Sequence, residues 1–219
     1  MTTKVMRSTV IHPSILYYGT PVVLITTQNA NATANISPMS SSWALGDRVV
    51  LGMAETGQGL ENLERERECV VNVPGPDLWG AVERLAPTTG RRDVPEFKRA
   101  MGYRFVEDKF GEAGLVATPS DLVRPPRIAD CPLQLEAHVL AVHRSQPPDF
   151  DRGPPSFSMI ETKVVRVHAH PAILDEDGKH VDVTKWSPLF YVFRHYFRTG
   201  TRLGHTFKTR SPGERDQEH

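Results

Sequence analysis

Residues 21–27, PVVLITT, are β-branched and almost continuously apolar, and the QNANA that follows supplies an Asn-rich turn, so the pattern predicts a strand entering a hairpin. Residues 33–42 then alternate, with Ala34 and Ile36 on one face and Asn35 and Ser37 on the other, the period of a half-buried strand. Pro38 has no N–H to give a ladder, which places this strand at a sheet edge or puts a bulge beside the proline. RVVLGMA at 48–54 predicts a third strand. TGQGLENLERERE reads as a helix beginning near Gly59, with Leu60 and Leu63 as its apolar stripe and Glu61 and Arg65 as an exposed pair one turn apart.

CVVNV at 69–73 is a further strand, stopped by Pro74, Gly75 and Pro76, after which Asp77 is placed to cap a short helix ending at Leu85. APTTGRRDVPEFKRAMG reads as a loop and a helical turn or two between Pro95 and Gly102. Residues 133–142 and 158–168 alternate as two more strands. The Pro-rich link SQPPDFDRGPPS, with its insertion at 145–155, is expected to be a surface excursion, since both flanking strands need one shared core. SPLFYVFRHYF concentrates five aromatic residues that must pack on the domain or a partner subunit, or cover a flat ligand.

A chain of 219 residues with 18 prolines suits one domain of strands and turns, spanning 1–210, followed by a polar tail at 211–219 with too little apolar surface to stay ordered. Equal numbers of basic and acidic residues, 26 of each and scattered, remove the electrostatic footprint of a nucleic-acid binder. The N-terminus has no secretory apolar core and no run is long enough to span a bilayer, so no membrane association and a cytoplasmic location are expected. Cys69 and Cys131 lack metal-ligand spacing and read as buried, reduced thiols.

Candidate chemistry concentrates between Asn35 and Asn62. Ser37, Ser40, Ser41 and Ser42 lie with Asn35 and Trp43 between strand-like runs, and Thr56 and Gln58 precede a helix start. A neutral, hydroxyl-rich surface beside free helical N–H groups suits a phosphorylated, hydroxylated ligand; a polar turn on a solvated strand face fits the same residues. TGQGLEN is an incomplete dinucleotide fingerprint, with Asn62 at the third glycine position, but its glycines let backbone approach a phosphate closely. Thr88, Thr89, Arg91 and Arg92 are within reach of an anion or form a hydrated loop. His168 and His170, with His180 or Asp182, have unspecific spacing for a metal, and no G-x-S-x-G elbow supports a serine nucleophile.

PVVLITT, ANISPMSSSWAL, VVLGMAETGQGLENL, CVVNVP, PPRIADCPLQLEAHV and PLFYVFR together resemble the flavin reductase-like (flavoredoxin-like) FMN-binding split-barrel family. The most specific parts are N-x-x-P-x-S (Asn35, Pro38, Ser40) and T-x-x-x-x-N-L (Thr56, Asn62, Leu63). The resemblance implies a mainly β fold with short helices, a six-stranded antiparallel split β-barrel that forms a homodimer with FMN in the groove between subunits; FAD is the rival flavin. It implies that Asn35, Ile36, Ser37, Ser40, Ser41, Ser42 and Trp43 line the flavin ring and ribityl chain, and that Thr56, Gln58, Gly59 and Asn62 hold its phosphate. The activity implied is NAD(P)H-dependent flavin reduction on a small-molecule substrate, with a partner oxygenase as a candidate acceptor. A non-catalytic FMN electron carrier and a flavin-dependent oxidase or oxygenase are the alternatives. Direct hydride transfer requires positioning and no protein acid or base, and His143 and His195 are the ring bases whose loss tests this.

Overall fold

The computed structural model describes residues 8–13, 15–145 and 156–204, so all of the 145–155 insertion beyond Ser145, and the 211–219 tail, lie outside the described residues. Seven strands form one antiparallel sheet in the order Ala34–Met39, Val23–Gln28, Glu68–Val73, Leu133–Arg144, Phe157–Ala169, Arg48–Ala54, Ser42–Leu45. The expected count of six is thereby corrected to seven. After Leu45 the chain reverses over Gly46 and Asp47, with Gly46 at φ 60°, and Leu45 pairs back on Arg48, so a short extra strand is added to Arg48–Ala54.

The two edge strands are consecutive in the chain and separated only by Ser40 and Ser41. Three peptide steps reach at most about 11 Å, whereas seven flat strands would span roughly 29 Å. The sheet therefore curls until its edges meet at the serine corner. The edges do not pair with each other, which leaves the barrel open beside that corner.

Val23–Gln28 is buried on both faces, which explains its continuous apolar sequence. Val23 and Ile25 point into the barrel with Leu51, Leu63, Val71, Val139 and Ile160. Leu24 points the other way, with Val22 and Ile36, into a second core under Val82, Leu85, Ala113 and Ile128. The described residues form four short helices, α1 (Gln58–Glu66), α2 (Trp79–Leu85), α3 (Glu96–Ala100) and α4 (Lys109–Ala113), of which α1, α2 and α4 pack on these cores and α3 buries no residue. α1 closes the barrel with buried Leu60 and Leu63 and ends at Arg67, whose φ of 60° stops the helix. Asp77 does not cap α2. It lies in a 3-10 turn, Pro76–Leu78, that runs directly into the helix.

The aromatic segment at the C-terminal end forms a hairpin, Phe190–Val192 with His195–Phe197, that pairs with Tyr18–Pro21 in a separate three-stranded sheet. Its turn residues Phe193 and Arg194 both have positive φ, the geometry of a two-residue hairpin turn without the usual Asn or Gly. Tyr191 and Tyr196 pack on the second core, while Phe193 and Phe197 remain exposed.

Candidate functional site

Where the barrel stays open, the Ala34–Met39 edge strand, the start of α1 and the loop around Thr89 enclose a cleft of about 180 Å³. Asn35 and Ser37 project into it from the edge strand. Asn35 Nδ2 donates to Ser37 Oγ at 3.2 Å and to Thr27 Oγ1 at 3.4 Å, while its Oδ1 is buried with no partner. Opposite lie Gly57, Gln58 and Gly59. The helix has extended Gly57 at its N-cap and no side-chain cap, so first-turn amides beside the cleft remain available to a ligand.

Two glycines make the cleft possible. A Cβ on Gly59 would lie 2.5 Å from Ser37 Oγ, and one on Gly90 would lie 2.5 Å from Asn35 Oδ1. Thr88 and Thr89, both buried, complete that wall. The charge comes from Lys98 and Lys109. Lys98 Nζ donates to the Thr56 carbonyl at 3.1 Å, and Lys109 Nζ, on a residue only 3% exposed, donates to the Ile36 carbonyl at 2.7 Å. Burial lowers the pKa of both ammonium groups, assisted at Lys98 by Arg91 and at Lys109, which falls to about 8, by Lys98. No carboxylate lines this cleft. Its donor set is cationic and suited to a compact anion.

The Lys109 bond also explains Pro38. Because the Ile36 carbonyl faces out from the sheet edge, the backbone of Pro38, two residues on, faces out as well, and its missing N–H costs no ladder bond.

Around Pro38, Met39 and Tyr103 the cleft opens into a second groove of about 450 Å³, which reaches Ser40, Ser41, Tyr17, Tyr191 and Tyr196. The Tyr17 hydroxyl and Ser41 Oγ are hydrogen-bonded at 2.7 Å. Tyr17 meets Tyr191 edge-on with centroids 5.5 Å apart, and Tyr191 lies 5.5 Å from Tyr196. The Tyr196 hydroxyl donates to Glu83 at 2.6 Å, and burial together with that carboxylate raises its pKa. A small cationic cleft thus continues into a larger aromatic groove.

The model of the Flavin reductase like domain matches residues 15–200. The chain belongs to the flavin reductase-like family. It is 45% identical over 199 residues to YdfE of Bacillus subtilis (strain 168), an uncharacterized protein, covering 91% of this chain and 93% of that one. Flavoredoxin of Desulfovibrio vulgaris (Miyazaki F) shares the fold at TM-score 0.73 and 17% identity, over 95% of this chain and 100% of that chain. Nitrilotriacetate monooxygenase component B from Bacillus cereus does so at TM-score 0.69 and 14% identity, over 88% and 89% respectively. Family membership makes a flavin, as cofactor or substrate, the ligand to test against the two clefts.

Within this family member the residues singled out in the sequence separate into groups. Asn35, Ser37, Gln58 and Gly59 line the cationic cleft, and Ser40 and Ser41 line the adjoining groove. Ile36 turns its side chain into the second core and offers only its carbonyl, to Lys109. Asn62 is fully buried and binds Thr27 Oγ1 at 3.0 Å and Asn29 Oδ1 at 2.8 Å, which ties α1 to the barrel. Thr56 gives its carbonyl to Lys98, and its buried hydroxyl has no partner. Ser42 and Trp43 belong to the added edge strand and line neither cleft; Trp43 is exposed. Of the loop residues, Thr88 and Thr89 reach the cleft, whereas Arg91 pairs with Glu61 at 3.0 Å and Arg92 with Glu107 at 2.7 Å.

Lys98, Tyr103 and Lys109 went unremarked in the sequence because nothing local distinguishes them. The one available signal is Lys109 itself, a lysine between Asp108 and Phe110 at the start of a short helix that buries its neighbour Ala113. His143 and His195 are exposed and line neither cleft. His168 and His170 do not converge with His180 or Asp182: His168 lies with Asp121 and Glu136, and His180 with Asp175 and Asp177, each group having its ligand atoms within 4.8 Å of one another. His168 contacts the buried Glu136 at 2.6 Å, His170 contacts the Ala129 carbonyl at 2.8 Å, and His180 is hydrogen-bonded to Asp177 in a separate turn. The Glu136 carboxylate is satisfied by the amides of Asp121, Leu122 and Val123. Burial pushes the Cys69 thiol up to about 12, as expected of an inert core cysteine.

Proposed function

We propose that this chain is an NAD(P)H-dependent flavin reductase that holds FMN across the two clefts, phosphate in the cationic one and ring in the aromatic one. The observation that carries the reading is their continuity: a pocket with two lysines and a helix start opens, past Pro38 and Tyr103, into a groove of hydroxyls and tyrosines. The residues present suit the group. Asn35 Oδ1 and Thr56 Oγ1 are buried polar atoms without partners at or beside the cleft, and Gly59 and Gly90 leave space that any side chain would fill.

In this reading Ser37 and Asn35 bind the ribityl hydroxyls, Ser40 and Ser41 orient the ring edge, and the tyrosines exclude water from its face. Ile36 contributes backbone, and Asn62 acts by fixing the α1 start; Ser42 and Trp43 are left for the subunit contact. Bound flavin supplies the hydride-accepting chemistry, and the chain's task is to stack the nicotinamide on it. One domain over 1–210 acts as a homodimer in the cytoplasm. Exposed Trp43, Leu45, Phe157 and Met159, on the two strands that flank Arg48–Ala54, supply apolar area for that contact. The likeness to a monooxygenase component B supports a partner oxygenase as the acceptor of reduced flavin.

Anaerobic mixing of the FMN-loaded protein with NADH and with NADPH, followed by flavin bleaching, tests the reading. Rapid bleaching by either supports it, and a bound flavin that neither bleaches reassigns the chain as an electron carrier. Light scattering that returns a monomer with FMN bound removes the homodimer.

A further inference from the structure

Besides the aromatic groove, Tyr196 lines a third cavity of about 490 Å³, together with Pro76, Trp79, Leu189, Phe197 and Arg198. The Tyr196 hydroxyl donates to Glu83, a residue of the groove, so this side chain is a wall common to both spaces. Trp79 and Glu83 lie one turn apart on α2, and a single helix face therefore runs from the groove to the cavity. Scattered exposed aromatic residues are ordinary. Trp79 and Phe197, however, are each more than half exposed and line one concave site with the buried Leu189.

Among the described residues, Arg198 is the one charge in the lining. It stands 3.6 Å from Asp77, too far for a hydrogen bond, and both side chains lie mostly in water. That pair is weak, and the guanidinium is open to a phosphate.

We infer that this cavity takes the adenosine end of the nicotinamide dinucleotide, with adenine stacked on Trp79 and Phe197 and the pyrophosphate held by Arg198. The inference rests on the reductase reading and deepens it. In that reading flavin phosphate fills the cationic cleft and the nicotinamide lies on the ring, so the adenylate has to leave the groove elsewhere. The cavity that shares Tyr196 adjoins the groove and has the chemistry an adenylate needs: flat π faces for a purine and one planar cation for a phosphate diester. Of the nearby carboxylates, Glu83 accepts from Tyr196 and Asp77 is almost wholly in water, and neither lines the cavity.

The test is stopped-flow flavin bleaching in the FMN-loaded protein at varied co-substrate. One co-substrate is NADH or NADPH, whichever bleaches faster; the other is reduced nicotinamide mononucleotide, which lacks the adenylate. The wild type is expected to half-saturate at a concentration of the dinucleotide at least about tenfold lower, the effect of one stacked base. Trp79→Leu is expected to raise the half-saturating dinucleotide concentration about tenfold, with the mononucleotide value and the limiting rate within about twofold of wild type. Trp79→Phe is expected to restore most of the loss, and Arg198→Gln to weaken the dinucleotide several-fold.

Equal half-saturation by the two co-substrates in the wild type overturns the inference, and this arm does not depend on any variant folding. A Trp79→Leu effect that is absent, or equal for both co-substrates, overturns it as well. So does light scattering that finds Trp79→Leu monomeric where the wild type is a dimer, because the cavity is then a subunit contact. If bound flavin is bleached by neither co-substrate, the reductase reading itself fails. Quenching of wild-type tryptophan fluorescence by ADP-ribose, lost in Trp79→Leu, then still supports an adenosine site, and no quenching overturns it.

Discussion

Gly59 and Ser37 meet so closely that a Cβ on the glycine would stand 2.5 Å from the serine hydroxyl, with Met53 Cε at 2.7 Å on the other side. The start of α1 and the edge strand are thus spaced by the absence of a side chain, and that spacing sets the width of the cleft.

Gly59→Ala gains helix propensity worth about 0.5–1 kcal/mol, which offsets the displacement of Ser37 Oγ and the flexible Met53 tip. Stability by urea unfolding is expected to stay within about 1 kcal/mol of wild type. FMN affinity is expected to fall roughly tenfold, because the serine donor is turned away and the mouth narrowed. Gly59→Val, whose branches cannot be absorbed, is expected to cost over 2 kcal/mol. Full FMN affinity in Gly59→Ala would show that the cleft is not where the flavin sits.

Lys109→Met removes a buried charge that opposes folding at neutral pH. The folded pKa, about 8, lies below the ordinary 10.5 of lysine, so the unfolded chain binds more protons between these values and this group's contribution to stability rises with pH there. Below about pH 8 the group is charged in both states, and its desolvation is a constant penalty. Allowing for the bond lost at Ile36, the flavin-free variant is expected to be about 1–2 kcal/mol more stable at pH 7, with the gain shrinking towards pH 10. Thermal unfolding across that range measures it, and a variant less stable at pH 7 contradicts it.

Glu136 holds the 121–123 turn against the sheet through three backbone amides and touches His168 at 2.6 Å. Burial alone would raise its pKa; the amides of Asp121 and Leu122 and the neighbouring His168 outweigh that and hold it below the ordinary 4.5. Its stabilising contribution is therefore complete above about pH 4.5 and is lost as pH falls through the lowered folded value. Glu136→Ala, which orphans those donors, is expected to cost about 3 kcal/mol at pH 7. The variant should also show a weaker acid-side loss of stability than wild type in urea titrations at pH 3–6.

His143 and His195 serve as the control for a mechanism without a protein acid or base. A group that transfers a proton in the rate-determining step is worth about 10²–10⁴-fold. His143→Ala and His195→Ala are expected to change stopped-flow flavin reduction by less than about threefold, since both side chains are exposed and outside the clefts. A loss of a hundredfold with FMN still bound would assign one of them a proton.

The sequence by itself determined six of the seven strands of the main sheet, the edge position of the Pro38 strand, the glycine-loosened helix start and the Asn35 to Gln58 half of the cleft. Each rests on period, turn chemistry or a missing N–H within a few residues. Tertiary structure decided the rest. Ser42 and Trp43 lie one and two residues past Ser41, yet they leave the cleft because a hairpin at Gly46 carries them onto another strand. Asn62, adjacent in pattern to Gln58, is drawn inward by Thr27 and Asn29, partners more than thirty residues away. Lys109 comes from 73 residues beyond Ile36, and only the folded chain turns its ammonium from solvent towards that carbonyl. Charge in a pocket is set by which side chains converge and how far water is excluded from them, and neither quantity is local in the sequence.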